Sequence, residues 1–445
     1  MRFVAHWLFD LKKFNLNVLI VHAYSDSNKG DLAIVASLVK AIRVARPGCT
    51  IRLQSVYSEA HPDFEFHHRF VLKMGVPVEQ MGVPSPYVDS VAKNIFSDLI
   101  ALRNLIASGV AEWLAGILPP SSKLFRKQAA ALASIKRSDI VILKGGQYIY
   151  NDQNGVRGFL YLWRILHPIF IAHKLGRPVV MLGQSVGPLV DVRGRNMTSR
   201  ALALCKVLVV REKKSEALME ELGLKNLTEL APDFAFLIDP VRPDRFDAVA
   251  RQIEGAEWLG VTVVNWSFPD EATPSLKRKA YIDAISEVAQ RIYVKKGLRI
   301  ALFPQVTVQH HGESDLDLLN VLAERLEELK VPFVLVTGDL APEELSYLYG
   351  CCQVLLGTRL HSCILAACAK TPVVAIRYQG FKTEGVMAEL GLADQVFDIS
   401  KMDINGIENA ICRSYECRDV ISKQLGSTVM GFRVSLISIL NRVLP

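Results

Sequence analysis

Residues 17–42 read NVLIVHAYSDSNKGDLAIVASLVKAI, and they give the clearest indication of fold class in the chain. The first seven residues form an apolar run of strand length. A polar segment follows at 24–31, and apolar side chains then recur at helical spacing from Leu32 to Ile42. A strand, a turn and a helix in this order are the repeating unit of α/β domains with parallel sheets.

The same unit recurs along the chain. Further apolar runs of strand length lie at 51–56, 140–143, 179–182, 207–210, 260–265, 299–303, 333–336, 354–356 and 373–376. The segment PVRPD at 240–244 has the composition of a linker. We therefore predict three segments: an N-terminal Rossmann-like domain at 1–240, a C-terminal one at 241–400, and a helical segment that packs back at 401–445.

The first domain contains an insertion of different character at 87–137. Apolar residues recur there at helical spacing, and basic residues lie nearby at Lys123, Arg126, Lys127, Lys136 and Arg137. Two interpretations stay open. The insertion is either a helical cap on its own domain or an amphipathic surface that touches a membrane.

The composition excludes several classes of protein. The 445 residues are 50% hydrophobic and 22% charged, which excludes a disordered chain. The net charge of +7 suits an anionic small molecule or a membrane surface, and it is too dilute to indicate nucleic acid. The eight cysteines form no CxxC pair, and the uninterrupted apolar runs are only strand-sized. These features predict a cytoplasmic protein with buried free thiols.

Common catalytic motifs are mostly missing. The sequence has no GxxxxGK[ST], HExxH or strand-linked GxGxxG pattern. Residues 183–187, GQSVG, match the nucleophile elbow of hydrolases, whose serine must lead directly into a helix. Residues 188–194 instead predict a loop, so we interpret Gly183 and Gly187 as positions of close backbone approach.

The strongest candidate site is GTRLHS at 357–362, between a predicted strand and a predicted helix. Ligands of α/β sheets bind at the carboxyl ends of strands, where a helix N-terminus attracts anions. Arg359 adds a planar donor fork for phosphate or carboxylate. His361 adds a group that can exchange a proton near neutral pH.

Three other predicted strand ends carry related residues. Arg211 follows the strand at 207–210, Lys144-Gly145-Gly146 follows the strand at 140–143, and Gly30-Asp31 begins the first helix. Each could instead be an ordinary turn glycine or a capping residue. Four such turns around one cleft favour a shared anion site.

Seven short motifs that occur in order extend this argument. They are NKGD at 28–31, KGG at 144–146, GQSVGP at 183–188, VREKKS at 210–215, PDFAFL at 232–237, GTRLH at 357–361 and YQGFK at 378–382. Together they resemble the polysaccharide pyruvyltransferase family over about 17–399. The chain departs from that family at Lys144, where a neutral residue is usual, and at Asn151, where many relatives have Asp.

The resemblance implies two Rossmann-like domains that face a cleft, as in glycosyltransferases of type B (GT-B), with the helical insertion in the first. It implies transfer of a carboxyethylidene group from phosphoenolpyruvate to a sugar, without metal or cofactor. His361 and Arg359 would be catalytic, and Arg211, Arg359, Leu360 and Lys382 would hold the donor. Weaker cleft candidates are Gly30, Asp31, Lys144, Gly145, Gly146, Tyr378 and Asp315.

The implied acceptor is a saccharide or lipid-linked oligosaccharide of an exopolysaccharide or capsule pathway, at the inner face of the membrane. Nucleic acid is not an expected partner. Two rival functions remain open. One is a GT-B glycosyltransferase that uses a nucleotide sugar, and the other is a non-catalytic assembly protein that uses the 87–137 insertion as its partner surface.

Overall fold

The computed structural model describes residues 16–85, 95–117, 125–151, 155–269, 271–308, 314–378, 380 and 382–445. The N-terminal part contains a parallel sheet with the order β3-β2-β1-β4-β6-β7-β8, and β5 pairs with β6. Its strands are β1 (Asn17–Ala23), β2 (Thr50–Ser55), β3 (Val78–Gln80), β4 (Ile140–Leu143), β5 (Gly146–Asn151), β6 (Val179–Leu189), β7 (Val207–Val210) and β8 (Thr228–Leu230). Its helices are α1 (Lys29–Ala45), α2 (Phe64–His67), α3 (Arg69–Lys73), α4 (Ile95–Ile117), α5 (Arg126–Arg137), α6 (Val156–Lys174), α7 (Val192–Leu202) and α8 (Lys213–Glu221).

A second parallel sheet follows, with the order β11-β10-β9-β12-β13-β14. Counted from its own first strand, this is the 3-2-1-4-5-6 order of a Rossmann domain. Its strands are β9 (Trp258–Thr262), β10 (Arg299–Leu302), β11 (Phe333–Leu335), β12 (Val354–Gly357), β13 (Val373–Arg377) and β14 (Val396–Asp398). The helices are α9 (Asp247–Glu254), α10 (Pro274–Lys296), α11 (Leu316–Glu328), α12 (Pro342–Gly350), α13 (Leu360–Cys368), α14 (Lys382–Glu389), α15 (Ile404–Glu416) and α16 (Arg418–Val443).

The predicted fold class is confirmed, and each predicted apolar run forms a strand. The strands that the sequence did not predict are β3, β5, β8 and β14. Three of them have only three residues and lie at sheet edges, where an apolar run is not required to cover both faces.

The loop predicted at 188–194 is wrong. The strand β6 continues to Leu189, and α7 begins at Val192 with the Asp191 side chain accepting from the Gly194 N–H. Ser185 therefore lies inside a strand and not at the sharp strand-to-helix turn of a hydrolase elbow. Gly183 and Gly187 both have positive φ, at 71° and 97°, which favours glycine at these positions.

The predicted insertion contains α4 and α5, while residues 86–94 and 118–124, with Tyr87 and Lys123, lie outside the described residues. By length and composition, the stretch Leu99–Ile117 of α4 could cross a membrane. At the other end of the chain, α15 packs on α10, and α16 contacts both α1 and α13. The domain limits at 240 and 400 stay a prediction.

The two halves meet at the carboxyl edge of β1. The Lys29 N–H donates to the Gln305 carbonyl at 3.1 Å, and the Thr307 N–H donates to the Ser27 carbonyl at 2.9 Å. Lys29 Nζ also lies 2.9 Å from Asp339 Oδ1, which Arg69 contacts as well. These contacts bring the strand ends of both sheets together.

Candidate active site

The turn between β12 and α13 is held by its own polar side chains. The Thr358 N–H donates to Thr262 Oγ1 at 3.1 Å, and Ser362 Oγ donates to the Arg359 carbonyl at 2.6 Å. Arg359 occupies the N-cap position with extended backbone, so His361 becomes the second residue of the helix. Both side chains therefore lie at a helix N-terminus, as the sequence predicts.

Arg359 is oriented by a buried carboxylate. Its Nε and Nη2 donate to Asp315 Oδ1 at 3.2 and 2.6 Å. Asp315 is itself buried, and its Oδ2 accepts from the Val306 and Gln305 N–H groups at 2.9 and 3.3 Å. Asp315 was predicted as a cleft residue, and the structure places it behind Arg359 as the group that positions the guanidinium.

His361 lies across the domain junction from Gly30. A Cβ atom at Gly30 would stand 2.3 Å from His361 Nδ1, so only a glycine leaves room for the ring. His361 Nε2 is buried and lies 3.6 Å from Asp233 Oδ2, and it makes no hydrogen bond with the described residues. The imidazole is thus held between the two domains with a carboxylate facing one nitrogen.

Arg211 is the centre of a buried hydrogen-bond network at the end of β7. Its Nη1 contacts Asp233 Oδ2, and its Nε donates to Ser185 Oγ at 2.8 Å. Ser185 Oγ in turn donates to Glu212 Oε2 at 2.7 Å. Ser185 therefore positions Arg211, and its hydroxyl is engaged with a carboxylate and a guanidinium instead of a histidine base.

Asp233 connects the two halves of the site electrostatically. Burial is the largest single influence on its carboxyl and would raise the pKa, whereas the positive charge of Arg211 lowers it. His361 and the Ala235 N–H act in the same direction, so the pKa of Asp233 lies well below its ordinary value. Asp233 is therefore a permanent negative charge between Arg211 and His361.

Lys382 adds a third cation from the first turn of α14. Its Nζ donates to Gln147 Oε1 in the N-terminal part at 2.8 Å and lies 5.9 Å from the Tyr378 ring centre. Burial lowers the pKa of Lys382, and the positive charges of Arg211 and Arg359 lower it further. The Arg359 guanidinium lies 6.0 Å from the same Tyr378 ring centre, so Lys382 and Arg359 flank one aromatic side chain.

Lys144, which follows β4, and Asp31, in the first turn of α1, form an ion pair. Lys144 is buried and its Nζ contacts Asp31 Oδ1, so the lysine charge is already paired. Gly145 packs against the neighbouring strand β6, since a Cβ there would stand 2.7 Å from the Gly183 carbonyl oxygen. Gly146 has φ of 138°, which favours glycine. The glycine pair thus permits the chain after β4 to pack closely against β6.

The remaining predicted residues flank this centre. Leu360 is the first residue of α13, and its side chain is buried. Tyr378 follows β13, and its ring lies 5.2 Å from the Trp266 ring and 6.0 Å from the Arg359 guanidinium. Gln379, Phe381 and Asp152 lie outside the described residues. Among the described residues, no cluster of three His, Cys, Asp or Glu side chains could hold a metal ion.

Sequence reasoning missed the anchoring role of Asp233, Ser185, Glu212 and Asp315. Asp233 belongs to the PDFAFL motif, which carried the resemblance but had no assigned role. A buried acid just after a strand, paired with an arginine at another strand end, was the available signal. Nothing local in the sequence indicates which arginine each acid contacts.

Comparison with known proteins identifies the family. Residues 28–380 match the family described as polysaccharide pyruvyl transferase. The chain is 23% identical to the amylovoran biosynthesis protein AmsJ of Erwinia amylovora, over 93% of this chain and 99% of that protein.

Solved structures support the GT-B fold. Anabaena HepE in complex with UDP-glucose has a TM-score of 0.51 and 12% identity, with coverage of 96% of this chain and 100% of that chain. UDP-GlcNAc 2-epimerase of Neisseria meningitidis bound to UDP-GlcNAc has a TM-score of 0.52 and 10% identity, with coverage of 95% and 100%. At such identities the likeness shows the fold alone. The family match covers most of the chain, and the protein belongs to the polysaccharide pyruvyl transferase family.

Proposed function

We propose that this protein transfers a carboxyethylidene group from phosphoenolpyruvate to two hydroxyls of a saccharide, as a step in making an exopolysaccharide or capsule precursor. The observation that carries the proposal is geometric. Arg359 and Lys382 flank the Tyr378 ring, and Arg211 and His361 both face Asp233. Phosphoenolpyruvate carries a phosphate and a carboxylate on a three-carbon skeleton. A compact set of cations at a helix N-terminus suits a small ligand with that much negative charge.

The donor would lie between the two domains. Asp315 accepts two hydrogen bonds from the Arg359 guanidinium, and this buried partner fixes the orientation of the group. Arg211 has two nitrogens engaged with Asp233 and Ser185. Lys382 has a lowered pKa, and an anionic donor would restore its affinity for the proton. A donor held in this way has already lost most of its freedom to move on binding. Less entropy is then lost when the transition state forms.

His361 would be the acid–base group of the reaction. Protonation of the methylene carbon leaves a cationic central carbon, which the first sugar hydroxyl attacks as it loses its proton. Phosphate then leaves with its bonding electron pair, and the second hydroxyl closes the ketal ring as it loses its own proton. The carboxylate of Asp233, 3.6 Å from His361 Nε2, would stabilise the protonated imidazole between these steps.

The acceptor we propose is a saccharide carried on a lipid at the inner face of the membrane. Such an acceptor is consistent with the family and with the relative AmsJ, whose name assigns it to amylovoran biosynthesis. The protein would then work in the cytoplasm, next to the membrane surface. Donor, acceptor and the proton carrier His361 suffice for the reaction, which changes no oxidation state overall.

Phosphate release tests the proposal. Purified protein is incubated with phosphoenolpyruvate and galactosyl, glucosyl or mannosyl acceptors, and phosphate and the ketal product are followed. His361→Gln should lower kcat at least 100-fold with little change in KM for phosphoenolpyruvate. Arg359→Gln should mainly raise that KM. His173→Gln, at an exposed histidine of α6, is the matched control and should leave both constants unchanged.

Two results would contradict the proposal. Thermal stabilisation by a nucleoside diphosphate but not by phosphoenolpyruvate would indicate a glycosyltransferase. Normal polymer composition in cells that carry Arg359→Ala and His361→Ala, together with loss of polymer when α4 is deleted, would indicate an assembly protein without catalysis.

A further inference from the structure

One face of α4 is apolar and exposed. Leu99, Ile106, Val110, Trp113 and Ile117 follow each other at intervals that keep them on one side of a helix, and each side chain is 50–66% exposed. Only 17% of the stretch Leu99–Ile117 is buried. Monomeric proteins rarely leave a continuous apolar stripe of this length in water, so an occupant is expected.

Two shallow grooves widen this stripe. A groove of about 610 Å³ lies between α4 and Phe125, and a second of about 370 Å³ lies between α4 and α6. The second is lined by Trp113, Trp163 and other apolar side chains of α6. We call the stripe and its two grooves the α4 face. It is broader than one helix and its lining is almost wholly apolar.

The exposed charged side chains of α4 and α5 from residue 99 onward are basic, and one of them, Lys127, lies 3.6 Å from Glu59 Oε2. The described basic residues of α4 and α5 are exposed, and they are Arg103, Arg126, Lys127, Lys136 and Arg137. In the sequence of α4 and α5, from 95 to 137, the acidic residues are Asp98 and Glu112, and Glu112 is buried and paired with His167. An apolar face bordered by cations complements a surface of lipid tails and anionic headgroups.

The α4 face also lies near the edge of the sheet that carries the site. Glu112 packs directly against Gly82, which follows β3 at the carboxyl edge of the N-terminal sheet. Gly109 packs against Trp163 of α6, whose N-terminus follows β5 at the same edge. A substrate held in a bilayer beneath α4 would therefore approach the sheet from the edge at which Arg211 and Lys144 lie.

We propose that the α4 face binds the surface of a bilayer that contains anionic phospholipid, with α4 lying in the plane of the interface. The helix lies on the bilayer and does not span it, because its opposite side buries Leu105, Ala111 and the Glu112–His167 pair against the protein. The inference extends the proposed function, since it rests on that function only for the identity of the lipid-linked acceptor. Bilayer binding itself is independent of the chemistry at His361.

Vesicle sedimentation of the full-length protein tests this proposal. Wild-type protein should sediment with vesicles of phosphatidylcholine and phosphatidylglycerol, and at least ten times less with phosphatidylcholine alone. Trp113→Glu should lower binding at least tenfold, whereas Val434→Glu, an equally exposed residue of α16, should not. Arg126→Glu with Lys127→Glu should lower binding to anionic vesicles, and Lys401→Glu with Lys423→Glu should not.

Other outcomes would overturn the proposal. Equal binding by Trp113→Glu and wild type would exclude the α4 face as the contact. Release from membranes by detergent but not by salt or alkaline carbonate would indicate a spanning helix. A wild-type dimer that becomes a monomer on Trp113→Glu would indicate a second copy of the chain as the occupant. Phosphate release from a soluble acceptor should persist in Trp113→Glu, so failure of the chemistry and failure of bilayer binding are distinguishable.

Discussion

Asp233 lies between Arg211 and His361, and it brings a side chain from each half of the molecule into one charge network. Its carboxylate is buried and contacts Arg211, while its other oxygen accepts from the Ala235 N–H at 2.8 Å. A single acid thus orients Arg211, the proposed donor-binding cation, and faces His361, the proposed proton carrier. Both functions depend on the negative charge as well as on shape.

Asp233→Asn should therefore affect stability and catalysis together. The variant leaves Arg211 buried without a counter-charge, and we expect the free energy of unfolding to fall by about 3–5 kcal/mol at pH 7. The pKa of Asp233 is held below its ordinary value, so its contribution is present above about pH 4 and is lost in acid. Denaturant unfolding between pH 3 and 7 should show a deficit that shrinks toward low pH. The exposed control Asp419→Asn should show none.

Gly30→Ala tests the contact between α1 and His361. The added Cβ would stand 2.3 Å from His361 Nδ1, so the imidazole must move while the helix itself tolerates alanine. We expect kcat to fall at least tenfold, and the melting temperature to fall as well, because the added atom would also stand 2.9 Å from the His361 Cβ. Gly431→Ala, in α16 with open space around its Cβ position, is the control. Unchanged kcat in Gly30→Ala would show that the ring position in this structure is not the active one.

At the scale of an element, α14 joins the site at both ends. Lys382 begins the helix and reaches Gln147, and Glu389 ends it close enough to Glu212 and Asp233 for their charges to interact. In the middle, Gly385 lies beside the Glu212 Cβ. The short helix therefore packs on the strand end that carries Arg211, and its acidic terminus opposes two other carboxylates.

Glu389→Gln should change how the stability of the protein depends on pH. Burial raises the pKa of Glu389 to about 7, and the negative charges of Glu212 and Asp233 add to the effect. Its folded-state pKa exceeds the unfolded value, so wild type is most favoured below about pH 4.5 and loses stability as pH rises to about 7. The melting temperature of Glu389→Gln relative to wild type should rise over that range. Exposed Glu327→Gln should show no such trend.

At the scale of the whole molecule, ion pairs connect the half that contains the first sheet to the half that contains the second. Lys29 and Arg69 of the N-terminal part both contact Asp339, which follows β11 in the C-terminal part. Burial lowers the pKa of Lys29 to about 8 even though Asp339 opposes this shift. The apolar core is also shared, because α16 packs on α1 of one half and α13 of the other.

Asp339→Asn should weaken this junction. Lys29 would remain buried without its carboxylate, and we expect the free energy of unfolding to fall by about 1–2 kcal/mol at pH 7, since Asp339 is partly exposed. Burial lowers the pKa of Lys29 to about 8 in the folded state, so the deficit should shrink as pH rises through about 8 and the lysine loses its proton. Denaturant unfolding at pH 7 and 9.5 measures this difference, with exposed Asp244→Asn as control. An equal deficit at both pH values would contradict the role of Lys29.

Much of the fold and some of the site followed from local sequence. The strands and helices were predictable because apolar spacing is a property of consecutive residues. The positions of Arg211, Arg359 and His361 at the carboxyl edges of the sheets were predictable because each follows an apolar run of strand length. The edge strands β3, β8 and β14 were not, because each has only three residues and one of them is charged, whereas the equally short β11 is wholly apolar.

The amino-acid sequence alone established the α/β class, the succession of strand-to-helix turns and the residues with the chemistry to bind an anion. Only the folded chain established which acid holds which arginine. Asp315 lies 44 residues from Arg359, and Asp233 lies 22 residues from Arg211, so neither pairing is encoded by local spacing. The folded chain also showed that the α4 stripe is exposed. Helical periodicity defines a face, but burial depends on what the rest of the molecule places against it.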